Sequence, residues 1–180
     1  MVPSGTYTLG PGSASLQVRT YREGVAAKVG HDLVIEVTRW QATVDIAAEP
    51  ASSAVQLSAD ARSLEVREGL RGVKPLSDKD RSEIRKNIDE KLGGQPITFR
   101  SSAVDLTDAD GRLVIVGELT IGGSTRPLTA QLDVATDGRV SGTIPLTQSE
   151  WGIKPYRGLM GALKVRDEVE IVVDAQLPPR

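Results

Sequence analysis

Leu113-Val-Ile-Val-Gly-Glu-Leu-Thr-Ile-Gly-Gly-Ser-Thr-Arg-Pro-Leu-Thr-Ala-Gln-Leu-Asp-Val134 decides the fold class. Successive side chains of a β-strand point to opposite faces, so a strand with one face in a core carries apolar residues at every second position. Leu113, Ile115, Gly117, Leu119 and Ile121 form one such face. Leu128, Ala130, Leu132 and Val134 form another, alternating with Thr129, Gln131 and Asp133. Gly122-Gly123 breaks the run between them, where a hairpin needs residues that accept positive φ.

The same period of two extends outward in both directions. Val55, Leu57, Ala59 and Ala61 alternate with polar residues, as do Val140, Gly142, Ile144 and Leu146. Val169, Ile171, Val173, Ala175 and Leu177 end the chain in the same way. Asp110-Gly111 and Asp137-Gly138 sit between alternating runs and read as type I′ hairpin turns. From Leu33 to Ile46 the apolar phase flips: Leu33, Ile35 and Val37 are odd, whereas Trp40, Ala42, Val44 and Ile46 are even. That flip predicts a bulge or tight turn at Thr38-Arg39. One segment departs from the pattern. Ile84, Ile88 and Leu92 recur at helical spacing between a capping-box-like Ser77/Asp80 and the stop Gly93-Gly94, and predict one amphipathic helix over 77–92 lying on the sheet. About eight strands in a single domain, 1–180, fit an antiparallel β-barrel whose interior is either filled or holds one small ligand.

Composition narrows the function classes. The 180 residues carry 22 Lys and Arg against 24 Asp and Glu, a net charge of -2, so nothing draws the whole chain to nucleic acid. There is no cysteine and one histidine, which excludes disulfides, thiolate chemistry and multi-histidine metal centres. The opening Met1-Val-Pro-Ser-Gly lacks a basic and an apolar leader region, and no apolar run approaches the ~20 residues of a membrane helix. The expectation is a cytoplasmic protein. No nucleophile elbow or P-loop occurs, and no cofactor is called for. Asp105, Asp108 and Asp110 hint at a calcium loop but lack its later ligands, and read as a hairpin turn.

His31 is the only imidazole. Adjacent Asp32 points to the opposite face of a strand and orients it poorly, so His31 reads as structural rather than catalytic. Trp40, Phe99 and Trp151 read as core rings or as cavity walls. Trp151-Gly-Ile-Lys-Pro-Tyr-Arg-Gly-Leu-Met-Gly-Ala-Leu-Lys-Val-Arg166 carries four cations, no acid, and Leu159, Met160 and Leu163 among glycines. It reads as a surface loop or as a lid over an apolar cavity.

Several stretches, in order, resemble the YceI family. Gly5-Thr-Tyr-Thr-Leu-Gly-Pro-Gly-Ser-Ala-Ser-Leu-Gln-Val18 is similar to its opening strand pair, and Asp80-Arg-Ser-Glu-Ile-Arg-Lys-Asn-Ile88 to its charged helix. Gln95-Pro-Ile-Thr-Phe-Arg-Ser-Ser102, Gly117-Glu-Leu-Thr-Ile-Gly-Gly-Ser-Thr-Arg-Pro-Leu-Thr129, Ser149-Glu-Trp-Gly-Ile153 and Asp167-Glu-Val-Glu-Ile171 resemble later motifs. The resemblance covers nearly the whole chain. It implies a lipocalin-like barrel with an apolar tunnel for a long isoprenoid or acyl chain and a capacity to dimerise, and it supplies no agreed catalytic residues to carry over. Many relatives begin with a signal peptide, and the early strands here carry Leu16, Val18 and Tyr21 where relatives are often aromatic.

The functional expectation is therefore a carrier or sequestering protein for an isoprenoid or fatty-acyl lipid. Strand parity predicts a tunnel lined by Leu33, Ile35, Phe99, Ile115, Leu119, Leu132, Ile144 and Trp151. Lys154, Arg157, Leu159 and Met160 are expected at its mouth, where they would meet a head group or a membrane surface. The alternatives are a filled barrel that binds a protein or a second copy of itself, and, more distantly, a hydrolase or isomerase using His31.

Overall fold

Residues 2–107 and 110–177 are described in a computed structural model. Fourteen strands follow one another among them: β1 (Gly5–Leu9), β2 (Ala14–Thr20), β3 (Arg22–Glu23), β4 (Asp32–Val37), β5 (Trp40–Ile46), β6 (Ala54–Ala59), β7 (Leu64–Leu70), β8 (Ile97–Thr107), β9 (Arg112–Ile121), β10 (Ser124–Val134), β11 (Arg139–Thr147), β12 (Arg157–Gly158), β13 (Leu163–Val165) and β14 (Glu168–Gln176). One helix, α1 (Asp78–Leu92), separates β7 from β8.

Eleven strands form one antiparallel sheet in the order β1-β5-β6-β8-β9-β10-β11-β14-β2-β4-β7, and β12-β13-β3 form a second, small one. The count exceeds the expected eight for a physical reason. β1 and β2, β4 and β5, and β6 and β7 are three long stretches, each bent once. Trp40–Asp45 pairs with Ala59–Ala54, and the same ribbon continues as Asp32–Val37 against Leu70–Leu64. The flip of apolar phase at Thr38-Arg39 is the bend between β4 and β5, held by Thr38 N–H donating to the Ser63 carbonyl at 2.8 Å and Asp60 N–H to that of Arg39 at 2.9 Å. The ribbon pairs with β8 through β6 and with β2 through β4. The ladder that leaves it at β6 thus returns to it at β4, and the sheet curls into a lipocalin-like barrel.

Turn chemistry differs in detail from the sequence expectation. Gly122 and Gly123, at φ 57° and 82°, make the two-residue turn between Ile121 and its partner Ser124. Asp137 is not in a positive-φ conformation; only Gly138 is, at 89°, within a longer connection that the Asp137 carboxylate closes by accepting the Arg139 N–H at 3.0 Å. The Asp110-Gly111 connection contains residues 108–109, so Asp108 and the calcium-loop reading lie outside the described residues.

Bending the ribbon has a consequence at β7. β8 begins only at Ile97 and pairs with β6, so β7 leaves an open edge there. α1 lies along it. The Arg81 guanidinium donates to the Val66 carbonyl at 2.9 Å and that of Arg85 to the Arg62 carbonyl, so edge carbonyls find donors on the helix rather than on a second chain. Ile88 and Leu92 pack against the buried cluster Ile35, Val37, Ala59 and Leu64. Ile84 is half-buried and belongs to none of the core clusters.

The helix start is a complete capping box: Ser77 Oγ accepts the Asp80 N–H at 3.1 Å, and the Asp80 carboxylate accepts the Ser77 N–H at 2.9 Å. These bonds hold the Asp80 carboxyl below the ordinary carboxylate range. Ser77→Ala should cost about 1 kcal/mol in urea unfolding. Because the Asp80 pKa is lowered by folding, its contribution is present above the ordinary carboxylate range and lost as pH falls through the folded value. The stability gap between wild type and Asp80→Asn should accordingly narrow in acid, which denaturation at graded pH measures.

Candidate ligand-binding cavity

The inward faces of β2, β4, β5, β6, β8, β9, β10, β11 and β14 enclose a cavity of about 330 Å³. That lies at the small end of ligand pockets, which run from about 300 to 1,000 Å³. Its wall is almost wholly aliphatic. Small inward residues keep it open: Ala42 and Ala59 on the ribbon and Ala130 on β10 are buried and line it. Gly117 serves the same face differently. A Cβ there would stand 2.5 Å from Phe99 Cζ and 2.4 Å from the Arg100 carbonyl oxygen. The missing side chain is the space in which the Phe99 ring lies against β9.

Six of the eight expected tunnel residues are on this wall: Ile35, Phe99, Ile115, Leu119, Leu132 and Ile144. Leu33 and Trp151 are not among its lining residues. Leu33 packs against the Ile35 cluster nearer the end of β4. Trp151 sits in the one-turn 3₁₀ segment Gln148–Trp151 after β11, where its indole N–H donates to the Leu119 carbonyl at 2.9 Å and fastens that turn across the end of the barrel. The four residues expected at the mouth also lie off the cavity wall. Ile153, beside Lys154, is on it. Leu159 and Met160 project from a one-turn 3₁₀ segment between β12 and β13.

The wall also includes α1. Ile88, Lys91 and Leu92 line the cavity, and the Lys91 ammonium donates to the Lys154 carbonyl. The helical spacing identified the docking face, but Lys91, the residue before Leu92, reads in sequence as part of the wet face. Polar groups on the otherwise apolar wall are few. Thr20, Lys91 and Gln148 are at the ends of β2, α1 and β11, at one end of the barrel, and Ser15 is on β2. Two buried polar atoms of lining residues, the Thr20 hydroxyl and the Trp40 indole nitrogen, have no hydrogen-bond partner. Buried polar groups ordinarily find one, and an indole N–H can only donate.

The remaining candidates are occupied structurally. His31 Nε2 is 2.6 Å from the Lys74 carbonyl oxygen, which can only accept, so that nitrogen carries the proton. The ring is wedged against Gly69 and Gly72. Asp32 turns away from it, accepting the Arg22 N–H at 2.9 Å and facing the Arg71 guanidinium at 3.5 Å. A second hollow near this end, about 300 Å³, is polar and nearly balanced: Arg22, Arg71 and Arg166 against Asp32, Glu168 and Glu170. Tyr21 in it is held above the ordinary tyrosine range by its hydrogen bond to the Glu170 carboxylate, which favours the protonated hydroxyl.

Among the described residues no helix is long and apolar enough to cross a membrane. No curated protein matches the chain. The crystal structure of Burkholderia cenocepacia BcnA is similar over 89% of this chain and 94% of that one, at 19% identity and a TM-score of 0.65. A mutant CJ YCEI protein crystallised with a monobromobimane guest is similar over 78% of this chain and 81% of that one, at 13% identity and a TM-score of 0.53. At these identities the likeness is one of fold. The family model described as a YceI-like domain matches residues 7–177, and the chain belongs to that family.

Proposed function

We propose that the protein holds one long apolar chain, an isoprenoid or fatty-acyl lipid, inside the barrel, and carries or sequesters it without altering it chemically. The cavity is the observation that carries this reading. Its wall is almost wholly aliphatic, with polar groups only at a few positions, so it offers an apolar chain contact in place of water. A chain lying in the cavity removes its own apolar surface from water, at roughly 25 cal/mol per Å². Membership of the YceI-like family supports a binding role for hydrophobic ligands. Such a role asks for no nucleophile, and the one imidazole is engaged by a backbone carbonyl.

The polar groups of the wall support placing a head group at their end of the barrel. Lys91 and the Trp40 indole are donors, and Trp40 packs against the same cluster as Ile88 and Leu92. A head rich in acceptor oxygens, a carboxylate or a phosphate, fits donors of this kind.

Native mass spectrometry of freshly purified protein, followed by organic extraction, should release a bound lipid mass. Ala130→Phe fills the cavity from β10 and should lower uptake of a fluorescent fatty acid at least about tenfold, while circular dichroism retains the β signal. Protein that carries no lipid and takes up no chain would favour the filled-barrel, protein-binding alternative. Lys91→Met should weaken a long-chain fatty acid several-fold relative to the alcohol of equal length, by a ratio that shrinks as salt rises. Equal weakening of both would place the head elsewhere.

A further inference from the structure

Three connections stand side by side at one end of the barrel: 24–31 between β3 and β4, 71–77 between β7 and α1, and 151–166 between β11 and β14. Hydrogen bonds tie them into one surface. Ala26 N–H donates to the Ala162 carbonyl at 2.9 Å, and Val73 N–H to the Lys28 carbonyl at 3.3 Å. Two features of this surface are not required by the cavity.

The first is exposed apolar side chains. Val25 is 96% exposed, Val73 68%, Leu159 60% and Met160 107%. Of the exposed large apolar residues among those described, all but Val116 lie on these connections or directly beside them. The second is charge. The three segments contain no Asp or Glu, in a chain whose net charge is -2. Arg71 and Arg166 pair with Asp32 and Glu23. Lys28, Lys74, Lys154, Arg157 and Lys164 have no ion-pair partner among the described residues.

Backbone strain falls in the same place. The non-glycine residues with positive φ among those described are Arg71 at 62°, Leu159 at 49° and Met160 at 56°. L-residues adopt this region at a cost, and such strain concentrates where a fold must present a side chain for function. Here it holds two consecutive apolar side chains out into water.

We propose that this end of the barrel is a docking platform for an anionic lipid bilayer, with Val25, Val73, Leu159 and Met160 entering the acyl boundary and the free lysines meeting head groups. A protein interface is built around packed aromatic and arginine anchors. Aliphatic tips ringed by unpaired cations, with the aromatic Tyr156 exposed on the same connection, suit a bilayer, which reads charge and apolar area without demanding a shape and takes tyrosine at its interface. Ile153, within the third connection, lines the cavity, so the platform stands at an end the cavity reaches. The proposal does not depend on what the cavity holds.

Co-sedimentation with vesicles tests it, using equal parts phosphatidylcholine and phosphatidylglycerol against phosphatidylcholine alone. The wild-type protein should bind the anionic vesicles at low salt, lose them as salt rises, and bind the neutral vesicles at least about tenfold more weakly. Lys28→Gln with Lys74→Gln should weaken binding by about fivefold per lysine. Leu159→Asn with Met160→Asn should weaken it about tenfold or more; asparagine accepts positive φ, so the loop keeps its shape. Both double variants should keep the wild-type melting temperature and the wild-type uptake of a fluorescent fatty acid in vesicle-free buffer. Failure of the wild-type protein to bind anionic vesicles, equal binding to neutral ones, or unchanged binding by folded variants would each overturn the platform. Capture of a protein through these residues without vesicle binding would overturn it too. Loss of fatty-acid uptake by the wild type with vesicle binding intact would count against the cavity reading alone.

Discussion

Small residues on opposing walls keep the apolar faces of this barrel from meeting. Ala42 and Ala59 on the ribbon, Ala130 on β10 and Gly117 beneath the Phe99 ring leave about 330 Å³ that the protein's own side chains do not fill. Interiors normally pack as densely as organic crystals, so a space of this size inside an aliphatic wall sets this barrel apart from a filled one. The buried clusters around it, built on Ile115, Leu119 and Ile35, surround the lumen rather than occupy it.

Wrapping a sheet around a void also explains the helix. A flat edge at β7 would invite another strand, and the bend at Thr38-Arg39 leaves that edge without a neighbour. α1 covers it, satisfies the Val66 carbonyl through Arg81, and completes the wall with Ile88 and Leu92. The same placement brings one ammonium, Lys91, to the margin of an apolar cavity. Closure of the wall and a cationic donor at its margin are thus supplied by one element.

Much of this was legible from side-chain alternation. The runs 113–121 and 128–134 gave the hairpin, and the flip between Val37 and Trp40 marked the ribbon's bend. Parity names the face of a strand but not the depth along it. Leu33 and Ile35 share a face, yet only Ile35 lies on the cavity wall. Trp151 follows the last predicted position of β11, where the chain turns into a 3₁₀ segment and strand parity no longer applies. Lys91 was hidden because helical spacing shows which side packs, not whether it meets a filled core or an open one. The small sheet pairs Lys164 with Glu23, and a contact so distant in sequence leaves no local period to read. Leu159 and Met160 were visible as apolar residues among glycines, but their outward placement follows from positive backbone angles that composition alone does not specify.

The central claim is that the barrel is built around a chain it does not itself supply. Scanning calorimetry of the delipidated protein, alone and with a single-chain lipid at about a hundred times its dissociation constant, tests this most directly. Ligand binding to the folded state alone contributes about 2.7 kcal/mol under those conditions, and each kcal/mol moves the transition of a domain this size by about 2–4 °C. The account predicts a rise of roughly 5–10 °C for the wild-type protein and little or none for Ala130→Phe. An unchanged transition in the wild-type protein, across chains of different length and head group, would contradict it.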